Sequence, residues 1–361
     1  MRTWIEIDKK KAKKNYTTFR KLIGSKCKLM AVVKSNAYGH SLVDFSLLAN
    51  DFGVDYFGVD SIVEAERLRE VGIKKPILVL GYTVNGKIKS AIEKDITLTI
   101  SDFNTLKTIN KLDKKPKIHL KIDTGMHRQG FFVSEIPKVI KEINFPVEGL
   151  YTHFAAAKSP SHKKPTIKQC EEFQKAIQIF EANGFNNLIK HASATSGAIT
   201  FPQAHFDMVR IGIGLYGIWP SKEVEDYYNN KIKLESILSW KTIVSQIKEL
   251  PKNSYIGYSF SEKLKRDSKI AILPIGYWHG YPYSLSSIGY VSIHKQRAKV
   301  LGRVCMDMIM VDITDIAGVK VGDSVELIGN TITADDIART IKTSPYEIVT
   351  RINPKTKRII S

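Results

Sequence analysis

AVVKSNAYGH, residues 31–40, decides the fold of this 361-residue chain. Met30 to Val33 form a short apolar run that reads as a buried strand. Lys34 ends the run, where a solvated amine has no packing reason to stand. A lysine amine held partly away from water loses proton affinity and becomes a nucleophile toward carbonyls. Ser35, Asn36, Ala37, Tyr38 and Gly39 then supply a polar turn, with a phenol four residues downstream of the lysine. A lysine at a strand end, before a turn into a helix, is where α/β barrels keep their chemistry.

Outward from that stretch, short apolar runs alternate with helical patterns up to about residue 217. The runs are 29–34, 55–60, 76–82, 96–100, 117–123, 147–154, 187–193 and 208–217. Each is continuous rather than alternating, as parallel strands covered by helices are. Eight such runs predict an α/β protein with a (β/α)8 TIM-like barrel over residues 9–230. Upstream, Asp8 opens a helix with Ala12, Tyr16, Phe19 and Ile23 at helical spacing. After Pro220 the strands become short and alternating, broken by Gly257, Gly276, Gly302 and Gly322. That predicts a mostly antiparallel β-domain over 231–361, with the N-terminal strand 1–8 packed on it and one late helix after Thr333. The biased segment KSPSHKKPTIK, 158–168, reads as a loop before a helix starting near Gln169.

Composition narrows the class. Hydrophobic residues make up 43%, enough for a full core, and no window approaches the ~20 apolar residues of a membrane span. The N-terminus has no apolar run before its charges, so the expected location is the cytoplasm. Three widely separated cysteines, Cys27, Cys170 and Cys305, fit free thiols there. Lysine and arginine outnumber acidic residues 55 to 36, a net charge of +19. The lysines are scattered over helix faces and loops, without an arginine stripe or a nucleic-acid motif, so solvated surface is expected rather than a nucleic-acid partner. The nine histidines make no ligand-spaced cluster, and no metal site is expected.

The string around Lys34 resembles the cofactor-lysine motif of bacterial alanine racemases almost residue for residue. The resemblance runs from Trp4 to about Arg351, and a barrel followed by a β-domain is similar to the fold-type III pyridoxal-phosphate enzymes. It implies pyridoxal 5'-phosphate as cofactor, with Lys34 joined to it covalently and later acting as a base at the substrate Cα. Tyr38 would direct its hydroxyl to the cofactor phosphate. KIDTGMHRQG, 121–130, resembles a second family segment. There Arg128 would stand by the cofactor's phenolic oxygen on the substrate side. Lys121 matches a lysine that family members carry as a carbamate; an ion pair of Lys121 with Asp123 is the alternative. His153, in YTHFA, would pack against the cofactor ring. VRIGIGLYG, 209–217, supplies Arg210 to face the ring nitrogen, and the Gly212 and Ile213 N–H groups to face the phosphate. An arginine keeps its proton and leaves that nitrogen unprotonated, which weakens the electron sink and disfavours decarboxylation and transamination. SYIGYSF, 254–260, supplies Tyr258, which the resemblance assigns as a second base given by the partner subunit of a homodimer. GRVCMD, 302–307, places Met306 and Asp307 beside the substrate carboxylate, with Tyr277 in support.

Departures from the family pattern cluster at the entrance. Ala194 and Thr195 stand where the family shows Asn-Ser, so Thr195 becomes the hydroxyl contact to phosphate. Trp278, His279 and Tyr283 replace small, acidic and basic residues; Lys158 replaces an aspartate, and Pro354 a tyrosine. The implied activity is interconversion of L- and D-alanine by two bases, supplying D-alanine for peptidoglycan. The alternatives are a serine or broad-specificity amino-acid racemase on the same scaffold and, further off, a barrel amino-acid decarboxylase.

Overall fold

The computed structural model describes residues Met1–Ser361 and divides into two compact units. One comprises Lys11–Ala37 and Leu42–Glu235; the other comprises Met1–Lys10, Tyr38–Ser41 and Ser236–Ser361. The chain opens with β1 (Thr3–Ile7) and α1 (Lys9–Ile23).

The first unit holds eight parallel strands: β2 (Lys28–Val32), β3 (Tyr56–Val59), β4 (Ile77–Val79), β5 (Thr97–Ile100), β6 (Ile118–Asp123), β7 (Gly149–Tyr151), β8 (Ile189–His191) and β9 (Met208–Ile211). They pair in the order β9-β2-β3-β4-β5-β6-β7-β8, and a parallel bridge between Ala194 and Arg210 brings the two ends together. The helices between them are α2 (Leu42–Phe52), α3 (Ile62–Glu70), α4 (Ile88–Glu93), α5 (Phe103–Asn110), α6 (Ile136–Glu142), α7 (Lys164–Ala182) and α8 (Thr195–Thr200), with α9 (Lys222–Tyr228) after the last strand. Every residue of β3, β4, β5 and β6 is buried, which is why these strands read as unbroken apolar runs.

Two boundaries differ from expectation. The run 208–217 is not one strand: β9 stops at Ile211, Gly212 turns the chain at φ −110, ψ −96, and Ile213–Tyr216 form a short helical turn. Ile213, Leu215 and Tyr216 are all buried, so the apolar pattern continued although the period changed. α7 starts at Lys164, ahead of Gln169, with Pro165 in its first turn, where a missing N–H does no harm.

In the second unit the strands that join β1 in the main sheet are β10 (Leu238–Ile243), β11 (Gln246–Leu250), β12 (Ser268–Leu273), β13 (Tyr290–Ile293), β14 (Gln296–Leu301), β15 (Ile309–Asp312), β16 (Ser324–Ile328) and β17 (Lys357–Ile360), and Tyr255–Ile256 pairs with Glu262–Lys263 apart from it. One sheet runs β11-β12-β15-β14-β13-β16-β10-β1-β17, antiparallel throughout except for the β1–β17 pair. Strand β10 alternates, with Leu238, Trp240 and Thr242 buried. Two late helices stand where one was expected, α10 (Ala334–Thr340) and α11 (Pro345–Thr350). Thr333 caps the first through Asp336; the Ser344 hydroxyl accepts from the Tyr346 N–H, and Pro345 opens the second.

Gly39 belongs to this second unit and has φ +86. A Cβ there would overlap the Val349 carbonyl oxygen, and the Gly39 carbonyl accepts from Arg358 Nε at 3.2 Å and Nη2 at 3.0 Å. Gly39→Ala therefore meets both a left-handed backbone and a filled space. It is expected to lower stability by roughly 2–5 kcal/mol in urea unfolding. A loss below about 1 kcal/mol would show that the contact yields.

Candidate active site

The decisive segment does not enter an ordinary helix. β2 ends at Val32, two residues before Lys34, and Ser35, Asn36 and Ala37 follow at φ/ψ of 54/52, 56/43 and 52/49, with Tyr38 at φ 53. This is a left-handed turn built without glycine. Such residues cost about 1–2 kcal/mol each, so tertiary contacts must hold them. The Ala37 N–H donates to the Val33 carbonyl at 2.8 Å, and the Asn36 side-chain oxygen accepts from the Leu42 N–H at 2.9 Å. The Lys34 amine lies 3.0 Å from a carboxylate oxygen of Asp60, just past β3, and is about one-third exposed. Asp60 carried no weight in the sequence reading.

Arg210, on β9, is buried in the barrel and held by several partners. It is 3% exposed. Its Nη1 donates to His191 Nδ1 at 2.8 Å; its Nη2 donates to the Thr152 and Ala192 carbonyls, both at 2.8 Å, and to His153 Nδ1 at 3.2 Å. The guanidinium also lies 5.2 Å from the centre of the Tyr151 ring. Burial, with Arg128 nearby, lowers its pKa to about 10, so it stays charged at neutral pH. Both terminal nitrogens are occupied by the protein. The hydrogen bonds of Arg210 to the protein all come from Nη1 and Nη2, and none from Nε.

Arginine only donates, and this fixes the tautomers behind it. His191 must accept at Nδ1 and carry its proton on Nε2, which lies 2.8 Å from His119 Nδ1. His119 then holds its proton on Nε2, a fully buried atom with no partner. Burial and the Arg210 charge push both imidazoles well below their usual range, His119 to about 3. The Tyr151 ring stacks on His191 at 4.7 Å, and its hydroxyl meets Thr99 at 2.9 Å. Sequence reasoning missed His119 and His191, since single strand histidines look alike until the barrel closes.

The 121–130 segment follows β6. Asp123 does not pair with Lys121: its Oδ1 accepts from the Gly125, Met126 and His127 N–H groups at 2.9, 3.0 and 3.0 Å. Burial raises its pKa, but those three donors outweigh burial and hold it low. Lys121 instead donates to Gln129 Oε1 at 3.3 Å. Burial, then the Arg128 and Arg210 charges, lower the Lys121 pKa to about 8. Arg128 is exposed and lines, with Lys121, Gln129 and His153, a shallow crevice too narrow for a water molecule. Half-buried His153 is pushed well below the usual imidazole range by burial and by Arg210, Arg128, Lys121 and Lys34, so these five side chains share one region.

At the start of α8, the buried Thr195 hydroxyl accepts from the Gly212 N–H at 3.2 Å and the Gly214 N–H at 3.4 Å. Among these side chains, no group of three or more histidine, cysteine or carboxylate residues is arranged to hold a metal ion.

The second unit carries the remaining candidates. Tyr38 lies 6.0 Å from Tyr346, ring to ring. Gly257, at φ 74, starts the tight turn that presents Tyr258, and this turn runs beside Gly302 and Arg303. The Tyr277 and Trp278 N–H groups donate to the Cys305 and Met306 carbonyls at 3.1 and 3.0 Å, joining the GYWHGYPY and GRVCMD segments. Tyr258 is 68% exposed and Phe260 72%; Tyr255, Tyr277, Trp278, Tyr283 and Met306 are exposed as well. His279 turns inward, its Nδ1 accepting from the Gly276 N–H at 3.2 Å. Asp307 and Lys158 are exposed, and the Pro354 carbonyl accepts from Arg358 at 2.9 Å.

Known proteins show which family the chain resembles. The family profile "Alanine racemase, N-terminal domain" matches residues 7–220, and "Alanine racemase, C-terminal domain" matches 237–360. An alanine racemase of Leptospira interrogans is 38% identical, the match covering 99% of this chain and 95% of that protein. One from Methanococcus maripaludis is 40% identical over 99% of this chain and 98% of its own length. Among solved structures, the alanine racemase of Clostridium difficile 630 superposes with a TM-score of 0.95 at 32% identity, covering 100% of this chain and 96% of that one. That of Bacillus anthracis with bound L-Ala-P gives a TM-score of 0.94 at 32% identity, with coverages of 100% and 95%. This chain belongs to the alanine racemase family.

Proposed function

We propose that the chain is a pyridoxal-phosphate-dependent alanine racemase working as a homodimer. The observation that carries this reading is Arg210: charged, and fixed by four bonds that all come from Nη1 and Nη2. The cofactor fits the residues present. Lys34 stands at a strand end to hold it covalently. The hydroxyls of Tyr38 and Thr195, with the Ile213 N–H, suit its phosphate, and His153 suits a face of its ring; the Gly212 N–H expected there is instead given to the Thr195 hydroxyl. When bound, pyridoxal phosphate supplies an aldehyde for the substrate amine and an electron sink that acidifies the substrate Cα–H.

The protein's part is to hold and move protons. Arg210 would hold the ring nitrogen through its Nε–H; an arginine keeps its proton, so that nitrogen would stay unprotonated and Cα proton transfer would be favoured over decarboxylation and transamination. Arg128 would face the substrate carboxylate, and Met306 and Asp307 would border that carboxylate and the Tyr258 base, with Tyr277 in support. The Lys121 amine, neutral more often than an ordinary lysine, is suited to carry a carbamate that neutralises Arg128. Lys34 moves the proton on one face of Cα, and Tyr258 of the partner subunit on the other. The exposed aromatic surface around Tyr258, Phe260 and Tyr277 supports a second copy as its cover. No helix is long and apolar enough to cross a membrane, which agrees with D-alanine supply to peptidoglycan from the cytoplasm.

Trp278, Tyr283, Lys158 and Pro354 at the entrance favour serine or a broader substrate range as the second reading. Turnover of purified protein with added pyridoxal phosphate on a panel of L-amino acids tests both. Formation of the D-enantiomer fastest with alanine is expected. Faster serine or lysine racemisation would replace alanine as the substrate, and CO2 release without inversion would put the enzyme among decarboxylases.

A further inference from the structure

We infer that Glu64 is a positioning residue for Lys34, acting through the left-handed turn. Ser61-Ile62-Val63-Glu64 has the spacing of a capping box at the start of α3. Half of that box forms: the Ser61 hydroxyl accepts from the Glu64 N–H at 3.3 Å. The other half is diverted. Instead of closing on the Ser61 N–H, the Glu64 carboxylate reaches beyond its own helix. Its Oε2 accepts from the Asp60 N–H at 2.9 Å, and its Oε1 from the Ser35 N–H at 2.7 Å and the Asn36 N–H at 3.4 Å.

A helical turn of either hand leaves its first N–H groups without internal partners. In this turn those donors are Ser35 and Asn36, and one carboxylate from the neighbouring β/α connection takes both. The same carboxylate fixes the backbone of Asp60, whose side chain meets the Lys34 amine at 3.0 Å. Glu64 thus holds the backbone on which Lys34 sits and the residue that its amine touches. It touches no reacting atom itself, and charge-assisted bonds of this kind are the strong ones.

The inference rests on Lys34 being the cofactor lysine, and its test separates the two claims. Holoenzyme is prepared as wild type, Glu64→Ala and Glu64→Gln. Cofactor release is followed on dialysis, and the visible band of the lysine-joined cofactor is titrated with pH. In Glu64→Ala the cofactor is expected to bind about tenfold more weakly or worse, with a shifted titration and faster amide exchange over residues 34–38. In Glu64→Gln an amide oxygen still reaches Ser35, but the NH2 group faces the Asp60 N–H and the charge is lost, so binding should fall between wild type and Glu64→Ala. Glu64→Ala with wild-type retention and titration overturns the inference, even if its melting temperature falls. Should the alanine variant not fold, Glu64→Asp, one methylene short of Ser35, carries the same expectations. Wild type that takes up no pyridoxal phosphate removes the functional reading and this inference together; wild type that binds it while Glu64→Ala binds it equally removes only the inference.

Discussion

Lys34→Ala is expected to abolish racemisation, by about 10⁴-fold or more, since loss of a general base alone removes 10²–10⁴-fold. On the proposed reading two functions leave with one amine: covalent attachment of the cofactor and proton transfer on one face of Cα. The substitution should leave the fold in place. Lys34 is partly exposed, and its one ion pair, with Asp60, is of the exposed kind that contributes ~0–1 kcal/mol. Thermal unfolding of the cofactor-free variant should therefore match wild type, while the visible band of lysine-joined cofactor disappears. Added methylamine should restore part of the turnover, because the space of the lost side chain is open to solvent. A variant that keeps more than a few per cent of activity without added amine would remove Lys34 from the chemistry.

The place of Lys34 was legible because a parallel barrel strand is an unbroken apolar run and a lysine closing one is conspicuous. The same logic found eight strands, and it overran where the apolar run outlasted the strand: Ile213 to Tyr216 are buried in a helical turn that composition does not separate from β9. The handedness of the turn after Lys34 was not legible. Nothing in Ser-Asn-Ala-Tyr prefers positive φ over four residues. The conformation is imposed from outside, by Glu64, by the Asn36–Leu42 bond and by the Ala37–Val33 bond. Glu64 carried a local signal, a capping-box spacing, but that signal points to α3 and says nothing of Ser35. Arg210 was found from its segment, whereas the two histidines behind it are 72 residues apart and became a relay only through strand closure. The Lys121–Asp123 pair, the alternative to a carbamate on Lys121, does not form because Asp123 has nearer donors in its own turn.

Tyr258→Phe tests the other face of Cα and the division of labour between subunits. The ring stays and only the hydroxyl leaves, so the exposed aromatic surface is unchanged and the fold should be unaffected. Racemisation is expected to fall about 10²–10⁴-fold. L- and D-alanine are mirror images of equal free energy, so kcat/KM must stay equal in the two directions whatever the variant, and a comparison of forward and reverse rates carries no information. Isotope exchange does. In D2O, Lys34 of the Tyr258→Phe variant can still remove and return the proton of the one enantiomer that presents it. That enantiomer should gain deuterium at Cα without inverting. If exchange and inversion fall together, one group serves both faces and the two-base assignment is wrong. Mixing then locates the tyrosine. A dimer of one Lys34→Ala and one Tyr258→Phe subunit has one site with both residues intact, provided that each site draws Tyr258 from the partner subunit. Random reassortment of two inactive variants should therefore restore roughly a quarter of the wild-type activity in a two-fold symmetric dimer. If both bases come from the same chain, every site in every mixture lacks one of them, and no activity returns.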